Sequence, residues 1–202
     1  HLMPQPQLTR LVAEANAGGA QVHPQTTVRS VGVLFGLAHH TPYGGCPAWQ
    51  ALNGLDLDQR LAHVRDPENR AQLIAEADGR EGGIDPSLLF PLDTVPADYS
   101  LRPETSLAAR AEAAGSTPAA LWLDLLDATD GGCLLVWPFL NQTPAEVEHL
   151  LGDPNVVLGL ADAGAHVGQI MDASQPTWFL AHWVRDRGLY SLEDGIARLT
   201  SI

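Results

Sequence analysis

Two short apolar runs with a clearly signalled helix between them constrain this chain more than any other feature. The first run, "GGCLLVWPFLNQ" (131–142), is bounded by glycines and Asn141 and reads as a strand. The second, "NVVLGLAD" (155–162), is apolar nearly throughout and reads as a parallel strand buried on both faces. Between them "TPAEVEHLLGDP" carries every mark of a helix. Thr143 stands at the N-cap, Pro144 at the first helical position, and Glu146 completes a capping box; Val147, Leu150 and Leu151 form an apolar face, and Gly152 ends it. Upstream, "LTRLVAEANAG" (8–18) places Leu8, Leu11, Val12 and Ala15 on one helical face. "AQVHPQTTVRSVGVLFGL" (20–37) then reads as extended, with Pro24 suited to a strand end. The order helix, strand, long excursion, helix, strand, helix predicts an α/β class built from βα units. Two or three good strands are too few for a closed barrel or a wide open sheet.

The excursion covers 38–106. "HHTPYGGCPAW" is loop, and "LDLDQRLAHVRDPENRAQLIAEADG" gives two short helices broken at Asp66-Pro67. "REGGIDPSLLFPLDTVPADYSLRPETS" is dominated by Gly, Pro and Asp. A tract of this kind inside a compact domain reads as a lid-like insertion, mainly helical and irregular, and loosely packed. Helical spacing returns over 107–128, with Ser116 or Thr117 capping a helix begun by Pro118. The expected organisation is therefore 1–37 with 107–202 as one segment, and 38–106 as the insertion. "PTWFLAHWVRDRG" and "SLEDGIARLTS", the latter opened by Ser191 with Asp194 three residues on, give two final helices.

Charge removes several functions. The 202 residues carry a formal net charge of −13, which repels a phosphate backbone and argues against a nucleic-acid partner. All 11 basic residues are arginine, so Schiff-base chemistry and a P-loop lysine are excluded within this chain. No apolar stretch approaches the roughly 20 residues of a membrane span, and no signal peptide is expected. The two cysteines, Cys46 and Cys133, lie in unlike contexts and define no disulfide framework; a reduced, cytoplasmic setting is the expectation.

The apolar run from Val156 ends on a carboxylate, Asp162, followed by Ala163, Gly164 and Ala165. In parallel α/β architectures, active-site groups stand where strands end at their C-terminal edge. Asp162 also suits a turn cap that accepts backbone N–H bonds, and spacing alone leaves the two readings even. His166, four residues on, reads as a loop histidine that lines the site or bonds backbone, and Asp172 as a loop-ordering or substrate-side residue. Arg29 follows a strand. A structural ion pair is its plainer reading, with bidentate pairing to a substrate carboxylate as the other. His39, His40 and Cys46 form one cluster where a zinc finger needs two, so a mobile loop is the plainer reading; Tyr43 is a candidate to reach a substrate from that loop, which no sequence feature demonstrates. Trp178, Phe179 and Trp183 read as core.

One resemblance adds to this. "NVVLGLADAGAHVGQIMDASQPTWFLAHWVRDRGLYSLEDGIARLTS" resembles the last barrel segment of the N-acyl-D-amino-acid deacylase (D-aminoacylase) group of metal-dependent amidohydrolases. The carrying features are a strand ending in Gly-x-x-Asp, then Gly-Ala-His, a downstream Asp, an aromatic-rich helix with Arg-Asp/Asp-Arg, and a Leu-Thr-Ser close. "AEANAGGAQVHPQTTVRSVGVLFGL" is similar to the preceding strand, where Pro-Gln and a following Arg recur, which brings Gln25 and Arg29 to the site. "PAWQALNGLDLDQRLAHVRDPENRAQLIAE" resembles the group's helical insertion. The resemblance implies a partial (β/α)8 barrel of TIM type, its last strands and helices with a mainly helical insertion. It implies zinc in the parent protein and an N-acyl amino acid or related amide as substrate. It makes Asp162 the general acid/base, taking a proton from metal-bound water and passing it to the leaving amine, and a possible metal ligand. His166, Arg29, Gln25 and Asp172 become substrate-side or supporting residues.

The group's His-x-His on the first strand and its middle-strand metal ligands have no counterpart here, and a whole barrel takes roughly 250 residues. The expectation is a C-terminal portion of a barrel, cut at both ends, which binds no zinc tightly by itself and tends to self-associate through strand edges. The alternative is a non-catalytic, acidic, helix-rich interaction domain that retains part of the fold.

Overall fold

The computed structural model describes residues 5–159, 169–170 and 174–200. In chain order the elements are α1 (Gln5–Ala17), β1 (Gln25–Thr26), β2 (Val31–Gly36), α2 (Pro47–Gln50), α3 (Leu57–Arg65), α4 (Pro67–Gly79), β3 (Phe90–Leu92), α5 (Leu107–Ala113), α6 (Pro118–Ala128), β4 (Leu134–Leu140), α7 (Pro144–Leu151), β5 (Val157–Leu158), α8 (Gln175–Trp178) and α9 (Leu192–Thr200). Helix α8 runs on as a π-helix over Phe179–Asp186. The architecture is mixed α/β, with one two-stranded and one three-stranded sheet among the described residues. Among the described residues no helix is long and apolar enough to cross a membrane. The chain divides into two compact units, His1–Val31 with Phe139–Ile202, and Gly32–Pro138.

Unit Gly32–Pro138 holds the larger core. Its sheet runs β2-β4-β3, with β3 antiparallel to β4 in the register Phe90↔Val136 and Leu92↔Leu134. Gly32 permits a close approach here, since a Cβ at that position would stand 2.6 Å from Val136 Cγ2 and 2.8 Å from the Trp137 carbonyl. Local signals place the helices. Asp56 and Gln59 form a capping box on α3, and Asp66 ends α3 while its carboxylate accepts from Glu68 and Asn69 N–H at the start of α4. The core joins Tyr43, Trp49, Leu52, Val64, Leu73 and Leu89 to Leu107, Trp122, Leu123 and Leu126. Trp49 and Trp122 stack at 5.5 Å, and the Trp49 indole N–H donates to the Leu73 carbonyl at 3.0 Å.

The 38–106 tract therefore departs from the expectation of loose packing. Its glycines and prolines punctuate short helices, but each helix contributes buried residues to one core shared with α5 and α6. Short apolar faces that look scattered in sequence converge because the turns between them are tight. Tyr43, expected on a mobile loop, is 2% exposed beneath that same core.

In the other unit, β1 and β5 pair in parallel, Gln25 with Val157 and Thr26 with Leu158. Val157 N–H donates to the Pro24 carbonyl at 2.9 Å and Gly159 N–H to the Thr26 carbonyl at 3.0 Å. The parallel pairing read from the sequence holds over these residues, but the strand is shorter and wetter than expected. Val156 is buried, Val157 and Leu158 are half-buried, and Leu160 lies outside the described residues. The stretch 20–37 is also not one strand: β1 and β2 belong to separate sheets, because Thr27 bonds the Arg29 carbonyl through its own hydroxyl and turns the backbone out of the ladder. Helix α7 is built as its sequence dictates, with the Thr143–Glu146 capping box in place and Val147, Leu150 and Leu151 buried. Those residues pack with Val28, Phe179, Trp183 and Val184. Only Val12 of the apolar face of α1 is buried; Leu8 and Leu11 stay exposed. Asn16 clamps the segment after α1, donating to the Val22 carbonyl at 3.0 Å and accepting from Val22 N–H at 2.8 Å.

Candidate functional site

At the end of β1 and just beyond it the chain buries an unusual run of polar side chains: Thr26, Thr27 and Arg29, joined by Asn141 and Gln175. Each is placed by an element. Thr26 ends the parallel strand, Asn141 follows β4 directly, and Gln175 opens α8. Asn141 Nδ2 donates to Thr26 Oγ1 at 3.2 Å and to Thr27 Oγ1 at 2.9 Å, while its carbonyl accepts from Ser30 Oγ at 2.7 Å. Asn141 has φ of 53°, a left-handed conformation that asparagine tolerates better than most residues. Gln175 Oε1 accepts from Val28 N–H at 3.4 Å, and Trp183 fixes the same residue from the other side by donating to the Val28 carbonyl at 2.7 Å.

Arg29 is 3% exposed, and its guanidinium donates to Ser174 Oγ at 3.2 Å. A guanidinium removed from water to this degree requires polar or anionic groups around it. Gln175 Nε2 is buried and has no hydrogen-bond partner among the described residues. The cluster thus sits at the C-terminal end of a parallel strand and presents hydrogen-bond donors, which suits the orientation of a carboxylate or carbonyl oxygen.

Of the residues singled out from sequence, Arg29 and Gln25 are described. Arg29 is inside the cluster. Gln25 lies in β1 on an exposed position, its side chain against Gly159, where a Cβ would meet Gln25 Oε1 at 3.0 Å. Gly159 is what lets that side chain lie across the strand pair. Asp162, His166 and Asp172 lie outside the described residues. Asn141, Gln175, Thr26 and Thr27 were not legible as site residues. Their only sequence signal is a polar side chain beside a strand or helix end, which a turn or cap explains equally well.

Among the described residues no group of three or more His, Cys, Asp and Glu side chains could hold a metal ion. His39 and His40 are exposed, whereas Cys46 is buried in the core, so that cluster does not converge. The zinc implied by the resemblance finds no ligand set among the described residues. Cys46 and Cys133 are both free and buried, and burial pushes the Cys133 thiol up to about 12, so it stays protonated and inert. No protein-family profile, curated protein or solved structure matches this chain.

Proposed function

We propose that this chain is a segment of a metal-dependent amidohydrolase that hydrolyses the amide bond of N-acyl-D-amino acids or related amides, and that it forms the last strands of a (β/α)8 barrel. The observation that carries this reading is the parallel β1–β5 pair with Arg29, Asn141 and Gln175 buried just beyond the end of β1. An oriented donor set at the C-terminal end of parallel strands is where such architectures keep their chemistry. The residues that follow β5 in sequence include Asp162, which the resemblance makes the general acid/base. Asp162 takes a proton from the attacking water and returns it to the departing amine. Arg29 pairs the substrate's carboxylate, and Gln175 Nε2 donates beside it.

The test is Asp162→Asn in the full-length parent, assayed on N-acetyl-D-amino acids with metal content measured in parallel. Asn keeps the shape but cannot accept the proton, so hydrolysis is expected to fall by about 10²–10⁴-fold with fold and metal retained. Near-normal turnover with metal in place would refute the assignment. The 202 residues alone are expected to hold no stoichiometric zinc after dialysis; one tightly bound zinc with turnover would show that the ligand set is complete in this chain.

A further inference from the structure

We infer that unit Gly32–Pro138 carries a binding site for a small zwitterion of the amino-acid class, in the cavity beside Arg80. The cavity is about 470 Å³, within the roughly 300–1,000 Å³ usual for small-molecule sites, and is lined by Tyr43, Asp78, Arg80, the Gly82-Gly83 turn, Asp85 and the start of α6. This inference is independent of the proposed amidohydrolase chemistry.

Arg80 is the centre of the argument. Its guanidinium donates to the Pro42 carbonyl at 2.8 Å and to the Ile84 carbonyl at 2.8 Å, and its Cζ stands 4.5 Å from the Tyr43 ring centroid. Two neutral carbonyls and an aromatic face thus fix the plane of the fork without neutralising its charge. Among the described residues it makes no ion pair, whereas Arg65, Arg70, Arg110 and Arg187 are all held by carboxylates. Gly83, at φ of 88°, makes the geometry possible: a Cβ there would stand 2.9 Å from Arg80 Cζ. The turn needs glycine for its conformation and again for the room it leaves the guanidinium.

The rest of the lining selects the ligand. Helix α6 adds the positive end of an 11-residue helix at Thr117-Pro118, so an anionic group is favoured beside Arg80. Asp78 and Asp85 line the same cavity and disfavour a bare anion or a phosphate. A molecule carrying a carboxylate and an ammonium a few ångströms apart satisfies both signs. Asp85 is held at the cavity wall by its cap on the next turn, its Oδ1 accepting from Ser87 N–H at 2.9 Å. Tyr43 lines the cavity as well, and its buried hydroxyl has no hydrogen-bond partner among the described residues.

The experiment is calorimetric titration of the full chain with glycine, acetate and methylammonium as probes at millimolar concentrations. Glycine is expected to saturate one site per chain, and acetate and methylammonium to bind at least roughly tenfold more weakly. Arg80→Met removes charge-assisted hydrogen bonds and is expected to weaken glycine by roughly tenfold to a hundredfold. Because Arg80 also ties two carbonyls, its circular dichroism and unfolding transition are checked alongside. Asp78→Asn with Asp85→Asn leaves that tie intact and preserves the Ser87 cap, since Asn caps as well as Asp; it is expected to bring glycine down to the level of acetate. No saturable glycine binding by the wild type, acetate as tight as glycine, or undiminished glycine affinity in the double variant would each overturn the inference.

Discussion

Leu73→Ala tests whether the 38–106 tract belongs to the core of its unit or merely decorates it. Leu73 lies in α4, is fully buried, and packs in the cluster that contains Trp49 and Trp122. Its carbonyl also receives the Trp49 indole N–H, so its backbone is fixed and the site has little freedom to collapse. Truncating a buried leucine removes its transfer free energy and leaves a cavity, together about 3–5 kcal/mol where the surroundings cannot relax. Taking the lower end, about 3 kcal/mol, this is a large share of the roughly 5–15 kcal/mol that holds a domain folded. At this chain length it corresponds to a fall in Tm of roughly 6–12 °C. Urea unfolding followed by tryptophan fluorescence reads it directly, because Trp49 and Trp122 are buried in the affected core. The control is Leu192→Ala on α9, where the side chain is 60% exposed and a change under about 0.5 kcal/mol is expected. A loss below about 1 kcal/mol for Leu73→Ala would refute the shared core. So would a separate early transition that leaves the Trp122 environment intact, because that is how a loosely attached lid behaves.

Two further outcomes concern ionisable groups. The hydrogen bonds from Arg110 at 3.1 and 2.7 Å hold the Asp93 carboxyl below its ordinary range, so its contribution to stability is complete above the unfolded value of about 4 and is lost as pH falls through its lowered folded value. Asp93→Asn should accordingly flatten the acid limb of an unfolding series and cost about 1–3 kcal/mol at neutral pH; an unchanged acid limb would refute the coupling. Burial raises Tyr43 to about 12, so the folded state holds that proton more tightly than the unfolded one, and stability should decline as pH rises from about 10 towards 12. Ultraviolet titration should show one of the three tyrosines ionising late, together with unfolding, and Tyr43→Phe should remove that phase.

What could be read from the sequence was whatever neighbouring residues decide among themselves. The α7 capping box needs only Thr143, Pro144 and Glu146, and the break between α3 and α4 needs only Asp66 and Pro67; both stand as their spacing dictates. The apolar run at 156–158 likewise announced a strand, but its pairing with the strand of Gln25 was an expectation of the resemblance and not of the local pattern. Burial was a different matter. Leu8 and Leu11 share a helical face with Val12, yet only Val12 is covered, because periodicity fixes which residues point together and not what lies opposite them. The same limit hid the core of 38–106: Trp49, Leu73 and Trp122 are far apart in sequence and meet only through the tertiary packing of α2, α4 and α6. Asn141 and Gln175 are the sharpest case. A polar residue at the end of a strand or the start of a helix looks like a cap, and only the fold, by bringing both to the end of β1 beside Arg29, turns two apparent caps into part of a buried polar cluster.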